Sequence, residues 1–493
     1  MGVLVNASRK RNSKDASALI RLALLIGLMA SPGPAFGAWE QSYVKRGESR
    51  REGRAWVERA QCGTATHEGG RLILRTDFGS IMVKTGRSDR LDCQVRLEAY
   101  TGGAAEAQRY FRSFDLTVRR ADGITYLTGK SVRERHRSLR MNAEFLIAVP
   151  ARFNLDLETH AGDIDVERLE GELRAETAGG DIRAGDVTGP VKVNTEGGSI
   201  ALGNVGQRLE ASTAGGSIRV GSVKGSANLE TSGGEIIAGQ TEGEVRAQTA
   251  GGDIVLRGAS GPVIAETAGG QIQIGDCGSS VSAETAGGNI RLEGARGLVK
   301  AQSAGGSIDL FRLQSAVLAN TAAGRILAEI SANRQSFAPS HLDTAVGDVQ
   351  VFIPPDLPLN IEAVIDEAAG HRISSEFPGL NIQGVREPLV FNTGTVRGRG
   401  ALNGGGKALM IHTVTGNIEI RKLDSQVLDQ FRRRQQLYWK ALDMRQQRQM
   451  EEMIRRLERG TEEAFRRGQQ EMEKQEKEMQ DELRKQQNDN DDD

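Results

Sequence analysis

A threonine or serine returns every 18 residues through the middle of this chain, at Thr159, Thr177, Thr195, Thr213, Thr231, Thr249, Thr267, Thr285, Ser303 and Thr321. Isoleucine keeps the same step at Ile164, Ile182, Ile200, Ile218, Ile236, Ile254, Ile272, Ile290, Ile308 and Ile326. Nine successive steps without an insertion leave few folds open. A helical repeat needs about 30 residues or more, so these units are too short to be helix pairs. One unit, Val263 to Ser280, reads VIAETAGGQIQIGDCGSS. Val263, Ala265 and Thr267 alternate with Ile264 and Glu266, and Ile272 and Ile274 flank Gln273, which is the period of half-buried strands. Gly269-Gly270 and Gly275 with Gly278 break the alternation as corners. The pattern predicts an all-β chain: a parallel β-solenoid of 18-residue coils, each stacked on the next at about 4.8 Å.

The columns name the inward face. One holds Val191, Leu209, Ala227, Val245, Val263, Val281, Val299 and Val317, and the next holds Ala175, Val193, Ala211, Leu229, Ala247, Ala265, Ala283, Ala301 and Ala319. The small side chains predict a narrow core, in keeping with an aromatic content of only 4%. Glycine is abundant, 61 of 493 residues, but proline numbers only 11, so neither collagen nor a proline-rich linker accounts for it. Cys277 falls in a column with Val187, Val205, Val223, Thr241, Ala259, Ala295 and Leu313, which makes it a core filler. The corner ladder of Thr177, Thr195, Thr213, Thr231, Thr249, Thr267 and Thr285 with Ile182, Ile200, Ile218, Ile236, Ile254, Ile272 and Ile290 reads as structural. Threonines entering a Gly-Gly corner bond turn amides, and stacked threonines form ladders.

Residues 1–37 carry the marks of a signal peptide: Arg9, Lys10, Arg11, Lys14 and Arg21, then the apolar Leu22 to Ala30, then Ala35-Phe36-Gly37 before Ala38. The apolar run is too short to span a bilayer, and no transmembrane span is expected in the mature chain. Residues 38–150 are a β-rich N-terminal cap region, in which Thr76 to Ile81 echoes the corner and Ala104 to Phe114 suggests a short helix. Residues 151–330 are the regular solenoid. Residues 331–423 are diverged coils and a C-terminal cap, with corners at Thr344 and Thr413 and a loose, glycine-rich Gly398 to Gly406. Residues 424–487 change to Gln, Glu, Arg, Lys and Met, the composition of a long charged helix. Leu428, Phe431, Tyr438, Leu442, Met450, Met453, Leu457, Phe465, Met472, Met479 and Leu483 form a coiled-coil-like stripe that Gly460 and Gly468 interrupt. Residues 488–493 read as an acidic disordered tail. Cys62 and Cys93 share the N-terminal segment and are either bridged or a pair of buried free thiols.

A net charge of −1 excludes a general polycation built to coat nucleic acid. The outward columns, such as Arg174, Lys192, Glu210, Asn228, Arg246, Ile264, Ser282 and Lys300, mix signs and lack the aromatic platforms of a glycan face. Asp163, Asp181 and Asp253 do not recur often enough for a calcium ladder, because Ser199, Ser217 and Gln271 take the same place. No catalytic, cofactor or metal residues are assigned.

The TAGG-(D/N/S)-I corners, the Val149-Pro150 entry into Asn154-Leu155-Asp156-Leu157, and the closing Thr415-Gly416-Asn417-Ile418-Glu419-Ile420 carry a resemblance. Over about residues 70–420 the chain resembles a bacterial exported β-strand-repeat family of unknown function, labelled "putative adhesin". The resemblance implies surface display or envelope association, and no catalytic residues. The expectation is therefore an exported, non-catalytic, adhesin-like scaffold in the periplasm, on the cell surface or secreted. Its helix would serve oligomerisation, the chain pairing with itself through residues 424–487, or docking to an envelope or surface protein. The alternative is a cell-envelope stress or signalling accessory, and a polysaccharide-active β-helix enzyme is the least favoured.

Overall fold

The computed structural model describes residues 42–86, 89–131, 141–383, 394–423 and 425–491. The expected signal peptide and residues 492–493 lie outside these, and residues 488–491, expected as part of a disordered tail, instead continue the C-terminal helix. Each regular coil contributes two strands. Val263–Thr267 and Ile272–Cys277 are one such pair, joined by the Ala268-Gly269-Gly270 corner. Neighbouring coils pair in parallel, residue for residue at an 18-residue offset, so Val245, Val263 and Val281 stand in one row. Ile254, Ile272 and Ile290 stand in another. The two strand types build two separate stacks, of 18 and 19 strands among the described residues.

The rows run well past the regular repeat. Thr76 pairs with Thr159, and Thr321 continues through Thr344 to Thr413. The isoleucine row begins at Phe145 and Ile81 and continues through Val349 and Ile418 to Ile373. Residues 331–423 thus keep the coil despite their sequence drift, since a row needs only an apolar or hydroxyl side chain of suitable size.

Between the stacks, the inward Val, Ile, Leu and Ala side chains merge into one continuous core. In the early coils a third contact column closes the turn through the bridges Leu169–Val187–Val205–Val223–Thr241. From Ile236–Thr241 onward the second strand lengthens to absorb that column, and Cys277 sits in it between Ala259 and Ala295. Burial pushes the Cys277 thiol up to about 12, so it packs as a small apolar side chain.

Each corner is tied to the one below. Thr267 Oγ1 donates to Gly252 O (2.9 Å) and accepts from the Gly270 N–H (3.2 Å). Thr285 does the same with Gly270 O (2.9 Å) and the Gly288 N–H (3.1 Å). A valine of the same shape would leave both backbone groups unpaired. Thr285→Val is expected to lower stability by about 1–3 kcal/mol, and Thr285→Ser by clearly less. Urea denaturation of the two variants checks this, and equal midpoints would show that the ladder is decorative.

Both ends of the stack are capped by antiparallel strands, so no regular parallel coil is left as a bare edge. At the N-terminal end, Ala55–Ala65, Arg90–Ala99 and Met141–Pro150 form an antiparallel layer. The last of these also runs parallel to Ser80–Gly86 of the first coil. The large aromatics gather here: Phe78, Phe114 and Phe145 meet ring to ring at 5.3 and 6.4 Å, and helix α1 (Ala104–Ser113) adds the buried Phe111. A terminal coil has a neighbouring coil on one side only, so bulkier side chains fill the wider space. Cys62 and Cys93 face each other on paired strands, 4.9 Å apart at Cα, and form a disulfide.

At the C-terminal end, Leu359–Ile365 and Val396–Leu402 form an antiparallel pair against Lys407–Thr415. The expected loose stretch from Gly398 is therefore partly a strand. Gly398 lies under Leu380 and Ile373, where a side chain would crowd 3.3 Å from Leu380 Cδ2.

Candidate interaction surface

The outer face of the five-residue strands carries polar side chains of mixed charge and ion pairs within the face, such as Lys192–Glu210 (2.9 Å) and Arg208–Glu210 (2.7 Å). The other stack is different, because helix α2 (Ser425–Asp491) lies along its outside. Tyr438 Oη donates to Gln273 Oε1 (2.6 Å), and the Arg257 guanidinium sits 5.1 Å from the Trp439 ring. Further along, Thr461 bonds Glu167, and Lys84 Nζ stands 6.0 Å from the Phe465 ring. Glu471 then pairs with Arg59, Met472 contacts Gln61, and Glu478 pairs with Arg50.

From Gln273 to Arg50 the helix crosses 12 strands. Eleven steps of about 4.8 Å make roughly 53 Å. The helix from Tyr438 to Glu478 is about 60 Å long at 1.5 Å per residue. Helix and stack match in length, so α2 is a strap running along the solenoid.

The seam is one narrow stripe. Trp439, Leu442, Gln446, Met450, Met453, Leu457, Thr461, Ala464, Gly468 and Glu471 recur at steps of three or four and are buried or half-buried, with exposed residues between. Of the stripe read from sequence as a coiled-coil seam, Leu442, Met450, Met453, Leu457, Phe465 and Met472 thus face the chain's own sheet, whereas Tyr438 is exposed. Gly468, read there as an interruption, is a close-approach position, since a Cβ on it would collide with the Gln94 side chain. Trp439, Thr461 and Ala464 were not in the sequence-derived stripe. Thr461 and Ala464 are too weakly apolar to stand out, whereas the apolar Trp439 carried a legible signal at the helical period, three residues before Leu442. At the root of the helix, Leu423 packs on Phe311, Leu327 and Phe352, a small apolar cluster separate from the core.

Two polar clusters stand near these surfaces. Arg183 holds Asp163 (3.1 Å), Asp165 (3.1 Å) and Asp181 (2.6 Å). With Gln449, Met453 and Leu457, Asp165 and Arg183 line an open cleft of about 440 Å³ beside the strap. Burial raises the Asp165 pKa, against the pull of Arg183. The second cluster ties the C-terminal cap: His412 Nδ1 meets Asp343 Oδ1 at 2.7 Å and His412 Nε2 meets Asp366 Oδ2 at 2.9 Å. Among the described residues, no group of three or more His, Cys, Asp or Glu is arranged to hold a metal ion.

Burial lowers the His412 pKa, but the bonds to Asp366 and Asp343 outweigh it and raise it above 6.5. A raised folded-state pKa means the contribution is full below the unfolded value and fades as pH rises through the folded one. Protection of Lys407–Thr415 amides is therefore expected to be greater at pH 6 than at pH 8.5, and His412→Gln to erase the difference. Hydrogen-exchange protection factors at the two pH values check this. A difference that survives in His412→Gln would assign it to another group.

The sequence-derived ladder residues, Thr177 to Thr285 and Ile182 to Ile290, stand in two single files. These files are buried, so they shape the rod and offer nothing to a ligand.

Among known proteins, no curated protein matches the chain. Solved structures that align with it include two from bacteria. One is a "putative cell adhesion protein" from Clostridium sporogenes, at 8% identity and a TM-score of 0.16, covering 78% of this chain and 100% of that one. The other is a "putative adhesin" from Bacteroides fragilis, at 16% identity and a TM-score of 0.23, covering 49% of this chain and 96% of that one. Superpositions this poor carry no weight beside the family match. The Toastrack DUF4097 family model matches residues 80–260, so that stretch of the chain is similar to the Toastrack β-repeat family.

Proposed function

We propose that this chain is an exported, non-catalytic scaffold of the cell envelope, adhesin-like in presenting a stiff surface, with α2 as the element that docks a partner. The observation that carries it is the unbroken residue-for-residue register from Thr76 to Thr413, which spends the repeat on shape. Every coil is bonded to its neighbours along both stacks, which favours a rigid rod. The apolar seam of α2 is occupied by its own sheet, and this favours docking through the outward helix face over pairing of two helices. The signal-like residues 1–37 support export.

In-cell cross-linking followed by fractionation tests the reading. The expected product is an envelope-associated chain beginning at Ala38, with Lys474 or Lys477 linked to a second polypeptide. A cytosolic chain still beginning at Met1, with cross-links only inside itself, would overturn it.

A further inference from the structure

The strap has two faces, and only one meets the sheet. Opposite the seam at Trp439, Leu442 and Gln446, the exposed face of α2 carries Leu437, Ala441 and Met444 in a line. Leu437 is 68% exposed and Met444 45%, unusual for large apolar side chains outside a core. Arg433, Lys440, Arg445 and Arg448 flank this line and are exposed as well. Residues 432–448 hold six Arg or Lys and one acid, Asp443, whereas acids outnumber bases from Gln449 to the end. The charge is therefore concentrated on one stretch of a chain that is nearly neutral overall.

We infer that the outward face of α2 around Arg433, Leu437, Lys440, Met444 and Arg448 is a docking surface for an anionic phospholipid bilayer, on which the rod lies flat. Two features of the face select this occupant. Its positive charge is complementary to acidic headgroups, each Arg or Lys near such a surface adding about fivefold to binding. Its central apolar line suits insertion at the headgroup–acyl boundary, in the manner of an in-plane amphipathic helix, and a purely ionic partner would leave that line exposed to water. No described helix is long and apolar enough to cross a membrane, so contact from the side is the mode this helix permits. The strap holds the face in place, because the opposite side of the same turns is fixed by Trp439 on Arg257. This goes beyond the scaffold reading and does not rest on it, since lipid binding is measured on purified chain whatever its compartment.

The experiment is flotation of the full chain with vesicles of phosphatidylcholine alone or with 30% phosphatidylglycerol. Two variants are compared, one with Arg433, Lys440, Arg445 and Arg448 each changed to Glu, the other Leu437→Ser with Met444→Ser. All chains keep residues 1–37, so the apolar run there contributes equally. Unchanged circular dichroism shows that each variant is folded. The expected result is preferential binding to the acidic vesicles, reduced more than about 100-fold by the charge reversals and several-fold by the serine pair. Raising salt from 0.05 to 0.5 M should also weaken it at least about tenfold. Equal binding to both vesicle types overturns the inference. So does unchanged binding by the serine pair with full competition by heparin, which would make the face a site for soluble polyanions instead.

Discussion

Gly270→Val is expected to break the stack at its own coil, while Gly269→Ala, one residue away, costs little. The two glycines of the corner look equivalent in sequence, but the stack treats them differently. A Cβ on Gly270 would penetrate the carbonyl of Gly252 in the coil beneath, and the same holds for Gly252 on Gly234 and Gly288 on Gly270. The obstacle is backbone, which cannot swing aside as a side chain would. Positive φ is not the reason, since Gly270 is absent from the residues in the left-handed region. On Gly269 the nearest atom to a Cβ would be Gly251 O at 3.5 Å, an ordinary contact. Forcing two coils apart breaks their shared hydrogen bonds and unseats the core on both sides, so a loss of at least about 3 kcal/mol follows. Because each coil touches only its neighbours, one such break splits the rod into two shorter stacks. Circular dichroism and urea unfolding of the two variants check this. A Gly270→Val protein that unfolds at the wild-type midpoint would mean that the corners stack more loosely than described.

The contrast shows what a repeat does and does not disclose. Period and register were legible because every coil meets the same surroundings, so Thr267 and Ile272 report on all their equivalents at once. The two caps were less legible, since an end coil has one neighbour instead of two and its side chains answer to a local shape. Phe78, Phe114 and Phe145 meet there although they are distant in sequence. The His412 cluster was hidden for the same reason, its carboxylates lying 46 and 69 residues away. The long helix was evident from composition, but where its stripe points depends on a surface that only the assembled stack creates. A 3.6-residue period says that one face is buried, and it is silent about whether a second helix or the chain's own sheet buries it. Arg50, Arg59 and Lys84, the residues that receive the strap, carry no mark of their own in the N-terminal segment.

Leu457→Asp is expected to lift the middle of the strap from the sheet while leaving the solenoid folded. The ion pairs at its far end, Arg50–Glu478 and Arg59–Glu471, involve partners that are 39–46% exposed apart from Arg59. Such pairs contribute about 0–1 kcal/mol each and fade with salt. The seam must therefore be held mainly by apolar burial, and Leu457, only 7% exposed, is its central aliphatic contact. Removing it forfeits about 2 kcal/mol, and setting a carboxylate near Asp165 and Glu167 adds a repulsive charge. Glu167 is already half-buried with its pKa raised by burial, so a second acid there is poorly tolerated. The combined loss exceeds what the two surface ion pairs can offset. Hydrogen exchange across residues 453–472 should rise at least about tenfold, with strands such as Ile272–Cys277 unchanged, whereas the exposed Glu462→Ala should behave as wild type. The root should stay in place, because Leu423 remains packed on Phe311, Leu327 and Phe352. If exchange is unchanged in Leu457→Asp, the polar contacts hold the strap, and its attachment should then weaken with salt in the wild-type chain as the apolar account does not require.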